Sequence, residues 1–161
     1  MATWQFTLDL IQASAARVAG VDAIRLTDDQ LESPLHLSPS DEAALLEAIS
    51  KVLPERTGWT TRRRFWGDEE SDDAQASFAD GAVDCVQFRL DVSKLSLPLV
   101  GAICELARRF GCVFAAREGG AVVQPTSGAV LRAVQQSSAM RFVSDPEGFL
   151  AELTRLERQP E

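Results

Sequence analysis

The alternation of apolar and polar residues is most regular between Val83 and Val92. From position 85 onward, polar or sulfur-bearing residues alternate with apolar ones: Cys85, Gln87, Arg89 and Asp91 against Val86, Phe88, Leu90 and Val92. A period of two is typical of a strand with one buried and one polar face. Asp80-Gly81, just before this segment, is a dipeptide that favours a tight hairpin. The pattern therefore predicts an antiparallel strand entered from a hairpin.

Shorter patterns on both sides of this strand complete a central module. The sequence predicts two strands before it, a helix after it and then a second β pair: Trp59–Trp66, Gln75–Phe78, Ser96 to Gly111, and Cys112–Ala116 with Ala121–Gln124. Ser96 is a favourable residue at a helix start, and Gly111 is a favourable residue just beyond a helix end. Gly119 and Gly120 are expected to form the turn of the last pair.

Three further helices are predicted from capping residues and apolar stripes. Ser38-Pro39 begins the clearest of them, which Pro54 ends. Thr126 or Ser127 caps the next helix, and Asp145-Pro146 begins the last. The last helix is expected to bury four large side chains: Phe149, Leu150, Leu153 and Leu156.

The first third of the chain allows two interpretations. One set of apolar residues alternates as in a strand: Trp4, Phe6, Leu8 and Leu10. A second set, which shares Leu8 with the first, fits one face of a helix: Leu8, Ile11, Ala15 and Val18. We expect a short strand that runs into a helix ended by Gly20. A further short strand is expected within Val21–Leu26, and a loop over Gln30–Leu37, where Pro34 interrupts regular structure.

These elements predict an α+β fold. Its core is a single antiparallel sheet, built from a meander and a hairpin, with helices packed mainly on one face. The 161 residues suit a single domain, residues 1–161. Within it, residues 1–57 form a less defined N-terminal part, and residues 58–156 form the central sheet and its helices.

Composition and charge limit the cellular compartments and the binding partners that are expected for the chain. Hydrophobic residues make up 45% of the sequence, the formal net charge is -8, and no apolar run approaches the ~20 residues of a membrane helix. The first twenty residues lack the early positive charge of a signal peptide. We therefore expect a cytoplasmic protein that binds neither membrane nor nucleic acid, since anionic surfaces repel it.

The side chains that usually carry catalysis are few. The chain has one histidine, His36, and three cysteines, with no Cys-x-x-Cys pair and no nucleotide-binding glycine motif. Cys104 lies on an apolar helix face and is expected to be buried, and Cys85 lies on the polar face of its strand. We therefore expect no catalytic residue, no cofactor and no metal site, and interpret the chain as a non-enzyme.

The densest charge cluster follows Trp66. It contains Asp68, Glu69, Glu70, Asp72 and Asp73. The simplest interpretation is a solvated acidic turn with Trp66 packed at the sheet edge. The functional interpretation is a docking surface for basic side chains, with Trp66 as an exposed anchor. Just upstream, Arg62 and Arg64 are expected on the polar sheet face and Arg63 on the other.

Several segments resemble small bacterial α+β proteins of the polymorphic-toxin immunity type. They are Trp66-Gly67-Asp68-Glu69, Gln87–Val92, Ile103–Ala107 with Gly111-Cys112, and Phe142-Val143 with Asp145–Leu150. The resemblance covers about Trp59 to Leu153. It implies a non-enzymatic cytoplasmic protein and carries no functional residue over.

Three functional hypotheses follow. The first is a binding protein of the immunity type, whose acidic surface masks a basic protein partner. It uses Trp66 and the five acids of the run. The second is a small enzyme or ligand-binding domain with a pocket beside the sheet, using residues such as Arg89 and Asp91. The third is a structural homo-oligomer joined through an exposed sheet face.

Overall fold

The computed structural model describes residues 3–57, 60 and 62–158. Over these residues the chain forms one seven-stranded antiparallel sheet, a separate two-stranded hairpin and six α-helices. The predicted α+β class is confirmed. The start of the predicted strand at Trp59 lies outside the described residues.

The main sheet has the strand order β4-β5-β6-β7-β1-β8-β9, and β2 pairs with β3 in the small hairpin. The strands are β1 (Gln5–Gln12), β2 (Arg17–Val18), β3 (Val21–Asp22), β4 (Glu55–Arg56), β5 (Arg63–Gly67), β6 (Asp73–Ala79), β7 (Ala82–Asp91), β8 (Cys112–Ala116) and β9 (Val122–Val123). Strands β5, β6 and β7 form the predicted meander, and β8 and β9 form the predicted hairpin.

The four helices predicted from Ser38 onward appear in the predicted order, and two short helices that were not predicted are added, one near the start and one before the last helix. They are α1 (Asp28–Leu31), α2 (Pro39–Val52), α3 (Leu97–Arg109), α4 (Ser127–Gln135), α5 (Ser138–Ser144) and α6 (Pro146–Glu157). Ser38, Ser96, Thr126 and Asp145 each accept a hydrogen bond from a backbone N–H in the first turn of the helix that follows. These caps satisfy donors that a helix start leaves free.

The main core lies between one face of the sheet and helices α2 to α5. Its largest fully buried side chains come from both layers, namely Trp66, Phe88, Phe114, Leu8, Leu10, Leu45, Ile49, Leu90 and Ile103. Phe88 and Phe114 meet edge to face, with ring centroids 6.2 Å apart. Within the described residues, no helix has the length and apolar content of a membrane span.

The predicted helix in the first third is wrong. Gln5–Gln12 is one long strand in the interior of the sheet, and it leads through a 3₁₀ turn at Ala13–Ala16 into the β2–β3 hairpin. β1 pairs with β7 on one side and β8 on the other, so its polar residues are buried beside its apolar ones. Burial on both faces removes the clean contrast that period counting needs.

The last helix begins at Asp145-Pro146 as predicted but buries less than expected. Leu150 and Leu156 are both about half exposed, and the side chain of Leu153 lies outside the described part. Phe149 instead packs edge to face against Phe142 of α5, at 5.8 Å between ring centroids. α6 therefore lies at the outside of the helical layer.

Candidate functional site

A segment of the N-terminal third crosses the second face of the sheet. Residues 26–35, which we call the strap, are fixed at both ends by backbone hydrogen bonds. The Leu26 N–H donates to the Gly120 carbonyl at 2.8 Å, and the Leu35 N–H donates to the Asp84 carbonyl at 2.9 Å. Between these points Leu31 packs in a small second core with Ile11 and neighbours. The second sheet face is therefore covered in part, and the prediction that it meets solvent holds only for the rest.

Gly120 allows the first of these attachments. Its φ is +72°, and a Cβ at this position would lie 2.6 Å from the Leu26 carbonyl oxygen. Only glycine tolerates both the left-handed backbone and this close approach. The turn between β8 and β9 is thus shaped to receive the strap.

A β-bulge in β7 makes the second attachment. Ser77 pairs with Cys85 and the next residue, Phe78, pairs with Val83, so Asp84 has no partner across the ladder. The extra residue places Asp84 and Cys85 along the same cavity, which strict alternation would forbid. It also leaves the Asp84 carbonyl free to accept from the strap.

A cavity of about 340 Å³ lies between the strap and the polar face of β5, β6 and β7. It is lined by Leu31, Glu32, Ser33, Arg63, Gln75, Ser77, Asp84, Cys85, Gln87 and Arg117. We call it the strap pocket. Its volume is at the lower end of the range for small-molecule sites. Two guanidiniums, two carboxylates and two amides converge there.

Four polar side chains of this pocket are not used to hold the fold. Arg63, Ser77, Gln75 and Gln87 make no side-chain hydrogen bond or ion pair within the part of the chain that the structure describes. Gln75 and Gln87 are direct neighbours across β6 and β7, and Arg63 faces Ser77 across β5 and β6. Their donors and acceptors are therefore free for solvent or for a ligand.

Arg117, which also lines the pocket, is not free in this way, because it neutralises a buried carboxylate. Its Nη1 donates to Asp9 Oδ2 at 3.2 Å, and the Asp9 side chain is almost completely buried. Asp9 Oδ1 has no hydrogen-bond partner among the described residues. Asp9 sits opposite Gln87 in the β1–β7 register, so this charge lies next to the pocket floor.

The thiol of Cys85 is unreactive at neutral pH. Burial, followed by the negative charges of Asp9 and Asp84, raises its pKa to about 11, against an opposing effect of Arg117 and Arg63. A thiol with this pKa stays protonated near neutrality and is a poor nucleophile. Cys104 is buried as predicted, and all three cysteines are free.

The acidic run divides into two parts with different roles. Asp73 is fully buried and accepts hydrogen bonds from both Nε and Nη2 of Arg89, with 2.6 Å between Nε and Oδ1. Arg56 Nη2 lies 3.6 Å from Asp73 Oδ2. Asp72 is half-buried and accepts from the Asp91 N–H at 2.7 Å. Asp73 is therefore part of the sheet and is removed from the predicted partner surface.

The exposed part of the run is held in one shape by the end of β1. Trp4 Nε1 donates to the Glu70 carbonyl at 2.9 Å, and Gln5 Nε2 donates to the Glu69 carbonyl at 3.1 Å. Asp68 caps its own turn by accepting from the Glu70 N–H at 2.9 Å. The exposed side chains of Asp68, Glu69 and Glu70 form what we call the acidic turn.

Trp66 is the second correction to the predicted surface. It is fully buried in the main core, and its Nε1 donates to Ser50 Oγ at 2.9 Å. It faces the helical layer, as does Arg64, which stacks on it and forms an ion pair with Glu55. An exposed anchor role for Trp66 is wrong, because the side chain reaches no solvent.

The arginines alternate as predicted, but the faces are reversed. Arg63 lines the strap pocket, whereas Arg64 lies on the other side with Trp66. Arg89 and Asp91, expected in a pocket, bind Asp73 and Ser93 instead. The sequence did contain one signal of the bulge that helps to form the pocket. The buried residues Val83 and Val86 are three positions apart, whereas residues on one face of a regular strand are an even number of positions apart.

His36 is exposed and is not among the residues that line the strap pocket. Gln12 holds its backbone through two hydrogen bonds, of 2.9 and 2.8 Å. Among the described residues, no three His, Cys, Asp or Glu side chains are grouped as metal ligands. The chain matches no protein-family model, no curated protein and no solved structure. The resemblance to immunity-type proteins thus stays a prediction.

Proposed function

We propose that this protein is a non-catalytic binding protein that holds a small polar molecule in the strap pocket. One observation carries the proposal. Arg63, Gln75, Ser77 and Gln87 converge in a strap-covered cavity, and none of these four side chains is spent on another group of the described chain. Unpaired polar groups that converge in a cavity are the usual means by which a site orients its ligand.

The chemistry of the lining supports binding rather than bond-making. An arginine stays protonated and an amide does not titrate, so neither transfers protons near neutral pH. The thiol in the pocket has a pKa of about 11 and stays neutral. These groups donate and accept hydrogen bonds, which fix a ligand without changing it. The carboxylates of Glu32 and Asp84 also line the pocket, but its lining, over the described residues, holds neither a histidine nor an ionised thiol that could act with them as a second catalytic group.

The first experiment asks whether the pocket retains a molecule. The protein is dialysed against the polar small-molecule fraction of bacterial cells, washed and unfolded, and released compounds are identified by mass spectrometry. Ser77→Trp fills the pocket floor, and Gln87→Met removes an amide at similar volume. Ala151→Trp adds the same bulk on an exposed helix face and is the control.

We expect wild type and Ala151→Trp to retain the same compound, and both pocket variants to retain much less. Thermal unfolding confirms that each variant is folded. Retention of nothing by the wild type, or equal retention by a folded Gln87→Met protein, contradicts the proposal.

A second candidate is the immunity-type inhibitor, with the acidic turn as the surface that masks a basic protein. The observation that favours it is the anchoring of the turn by Trp4 and Gln5. A surface fixed before binding loses less conformational entropy on association, and clustered negative charge accelerates encounter with a basic partner. Glu69 also contacts Arg56 at 3.9 Å, which limits its motion.

The test for this candidate uses captured and then purified partners. A partner pulled from bacterial extract is produced separately, and its affinity is measured with Asp68→Asn/Glu69→Gln/Glu70→Gln. A charge-matched control neutralises three exposed acids elsewhere: Asp41, Asp80 and Glu105. We expect a basic partner whose affinity falls at least tenfold in the first variant and stays within twofold in the control. Equal losses in both variants contradict a specific surface.

The cytoplasm is the compartment that we propose, and three free thiols without a disulfide support it.

A homo-oligomer joined through the sheet face is the weakest of the candidates. The strap occupies part of that face, and the pocket beneath it is lined by charged and amide groups. Analytical ultracentrifugation distinguishes it, because only this candidate requires a stable assembly of the protein alone.

A further inference from the structure

We propose that the ligand of the strap pocket is a zwitterion of amino-acid size, whose carboxylate binds Arg63 and whose ammonium binds Asp84 and Glu32. This inference rests on the proposed function and names the ligand class of the same site. It follows from which charges in the pocket are already neutralised and which are free.

The free positive charge is Arg63. Arg117 forms an ion pair with Asp9, with 3.2 Å between Nη1 and Oδ2, so its charge is largely balanced within the protein. Arg63 forms no ion pair in the described residues, and it stands two strands from the bulge, in register with Ser77 and Cys85. Guanidinium binds carboxylate through paired N–H donors, which makes a carboxylate its natural partner.

The free negative charges are Asp84 and Glu32. They reach the cavity from two sides, Asp84 from the bulge in β7 and Glu32 from the strap. Neither makes an ion pair in the part of the chain that the structure describes. A purely anionic ligand would meet repulsion from both, and a purely cationic one would meet repulsion from Arg63.

Both signs of charge act on one place in the pocket. The Cys85 thiol, which is part of the lining, is affected by the negative charges of Asp9 and Asp84 and by the positive charges of Arg63 and Arg117. Strands β5 and β7 are two strand spacings apart, about 10 Å. A ligand that contacts both Arg63 and Asp84 therefore has to bridge no more than about this distance, shortened by the reach of both side chains, which is within the size of an amino acid.

The two amides indicate what lies between the charged ends. Gln75 and Gln87 form a cross-strand pair on the floor, with free donors and acceptors. An apolar body would leave these groups desolvated and unpaired, which is unfavourable. The ligand is therefore expected to carry a polar side chain.

The experiment measures binding of the twenty L-amino acids by calorimetry. For the tightest binder, the methyl ester removes the carboxylate charge and the N-acetyl derivative removes the ammonium charge. We expect at least one polar amino acid to bind with one-to-one stoichiometry, and both derivatives to bind at least tenfold more weakly.

Two variants test which residue binds each charged end of the amino acid. Arg63→Gln should weaken the parent amino acid at least tenfold but leave the affinity of its methyl ester within threefold. Asp84→Asn should weaken the parent but not its N-acetyl derivative, while its backbone carbonyl still holds the strap. Arg62→Gln and Asp80→Asn remove the same charges at nearby positions that do not line the pocket, and should match wild type.

The outcomes separate the two proposals. If no amino acid binds but dialysis recovers a neutral or singly charged compound that Gln87→Met fails to retain, the zwitterion inference is overturned and the pocket function stands. If an amino acid binds and Arg63→Gln has no effect on it, the inference is overturned as well. If the wild type retains no compound from the extract, the proposed function itself fails, and the inference that rests on it fails as well.

Discussion

Replacing Asp73 by asparagine should destabilise the protein far more than any other single neutralisation in the acidic run. The Asp73 side chain has no solvent exposure, Arg89 donates to both its oxygens, and the Arg89 side chain is only 14% exposed. Removing one partner of a buried ion pair leaves the other charge without compensation, which costs about 3–5 kcal/mol. Because an asparagine oxygen still accepts one hydrogen bond, we expect about 3 kcal/mol.

Urea denaturation measures this loss, with tryptophan fluorescence, to which the buried Trp66 contributes, as the signal. The same loss corresponds to a fall in Tm of about 6–12 °C for a domain of this size. Asp68→Asn is the matched control, because Asp68 is exposed in the same run and asparagine keeps its capping oxygen. The control should lie within about 0.5 kcal/mol of wild type.

A double-mutant cycle with Arg89→Met tests whether the loss comes from the pair itself. If it does, the double variant with Asp73→Asn should be more stable than the sum of the two losses predicts, by at least about 1 kcal/mol. A loss below about 1 kcal/mol for Asp73→Asn, or strict additivity in the cycle, refutes the reasoning.

Three further predictions concern other parts of the structure. Burial raises the pKa of Asp72 above its usual 3.8, so the folded chain keeps this proton to a higher pH than the unfolded chain, and the free energy of unfolding falls as pH rises through that interval. The free energy of unfolding of Asp72→Asn, measured by urea denaturation, should therefore rise relative to that of the wild type as pH is raised from acid to neutral. A difference between the two proteins that does not change with pH contradicts this. Alkylation of Cys85 by iodoacetamide near pH 8 should be about 100-fold slower than for a thiol with the reference pKa of 9.0, since its own is about 11, and labelling at the reference rate contradicts the burial. Deleting Asp84 should leave a regular β6–β7 ladder and a folded protein but release the Leu35 end of the strap, seen as faster hydrogen exchange there, and unchanged exchange would show that the bulge does not hold it.

The sequence predicted those elements whose signals are local. The alternation in β7, the caps at Ser38, Ser96 and Thr126, and the glycine turn between β8 and β9 each depend on neighbouring residues. Such signals survive folding because tertiary contacts reinforce them. The α+β class and most helix starts followed from them.

What escaped prediction depends on contacts between distant residues. The strap has no periodic pattern, and its position follows from hydrogen bonds of Leu26 to Gly120 and of Leu35 to Asp84. The burial of Trp66 and Asp73 depends on α2 and on Arg89, which no neighbouring residue reveals. A pocket beside the sheet was among the sequence hypotheses, but its lining could not be foreseen, although the spacing of Val83 and Val86 marked the bulge that helps to build it.

The central place of β1 also governs how the sheet assembles during synthesis. Leu8 cannot pair on one side until Phe88 has left the ribosome, and on the other until Ala116 has followed. For that whole interval, the nascent chain presents an unpaired apolar strand with two open edges, a form that invites association with other chains. Sheet closure is thus a late and non-local event, and this topology is expected to fold slowly for its size.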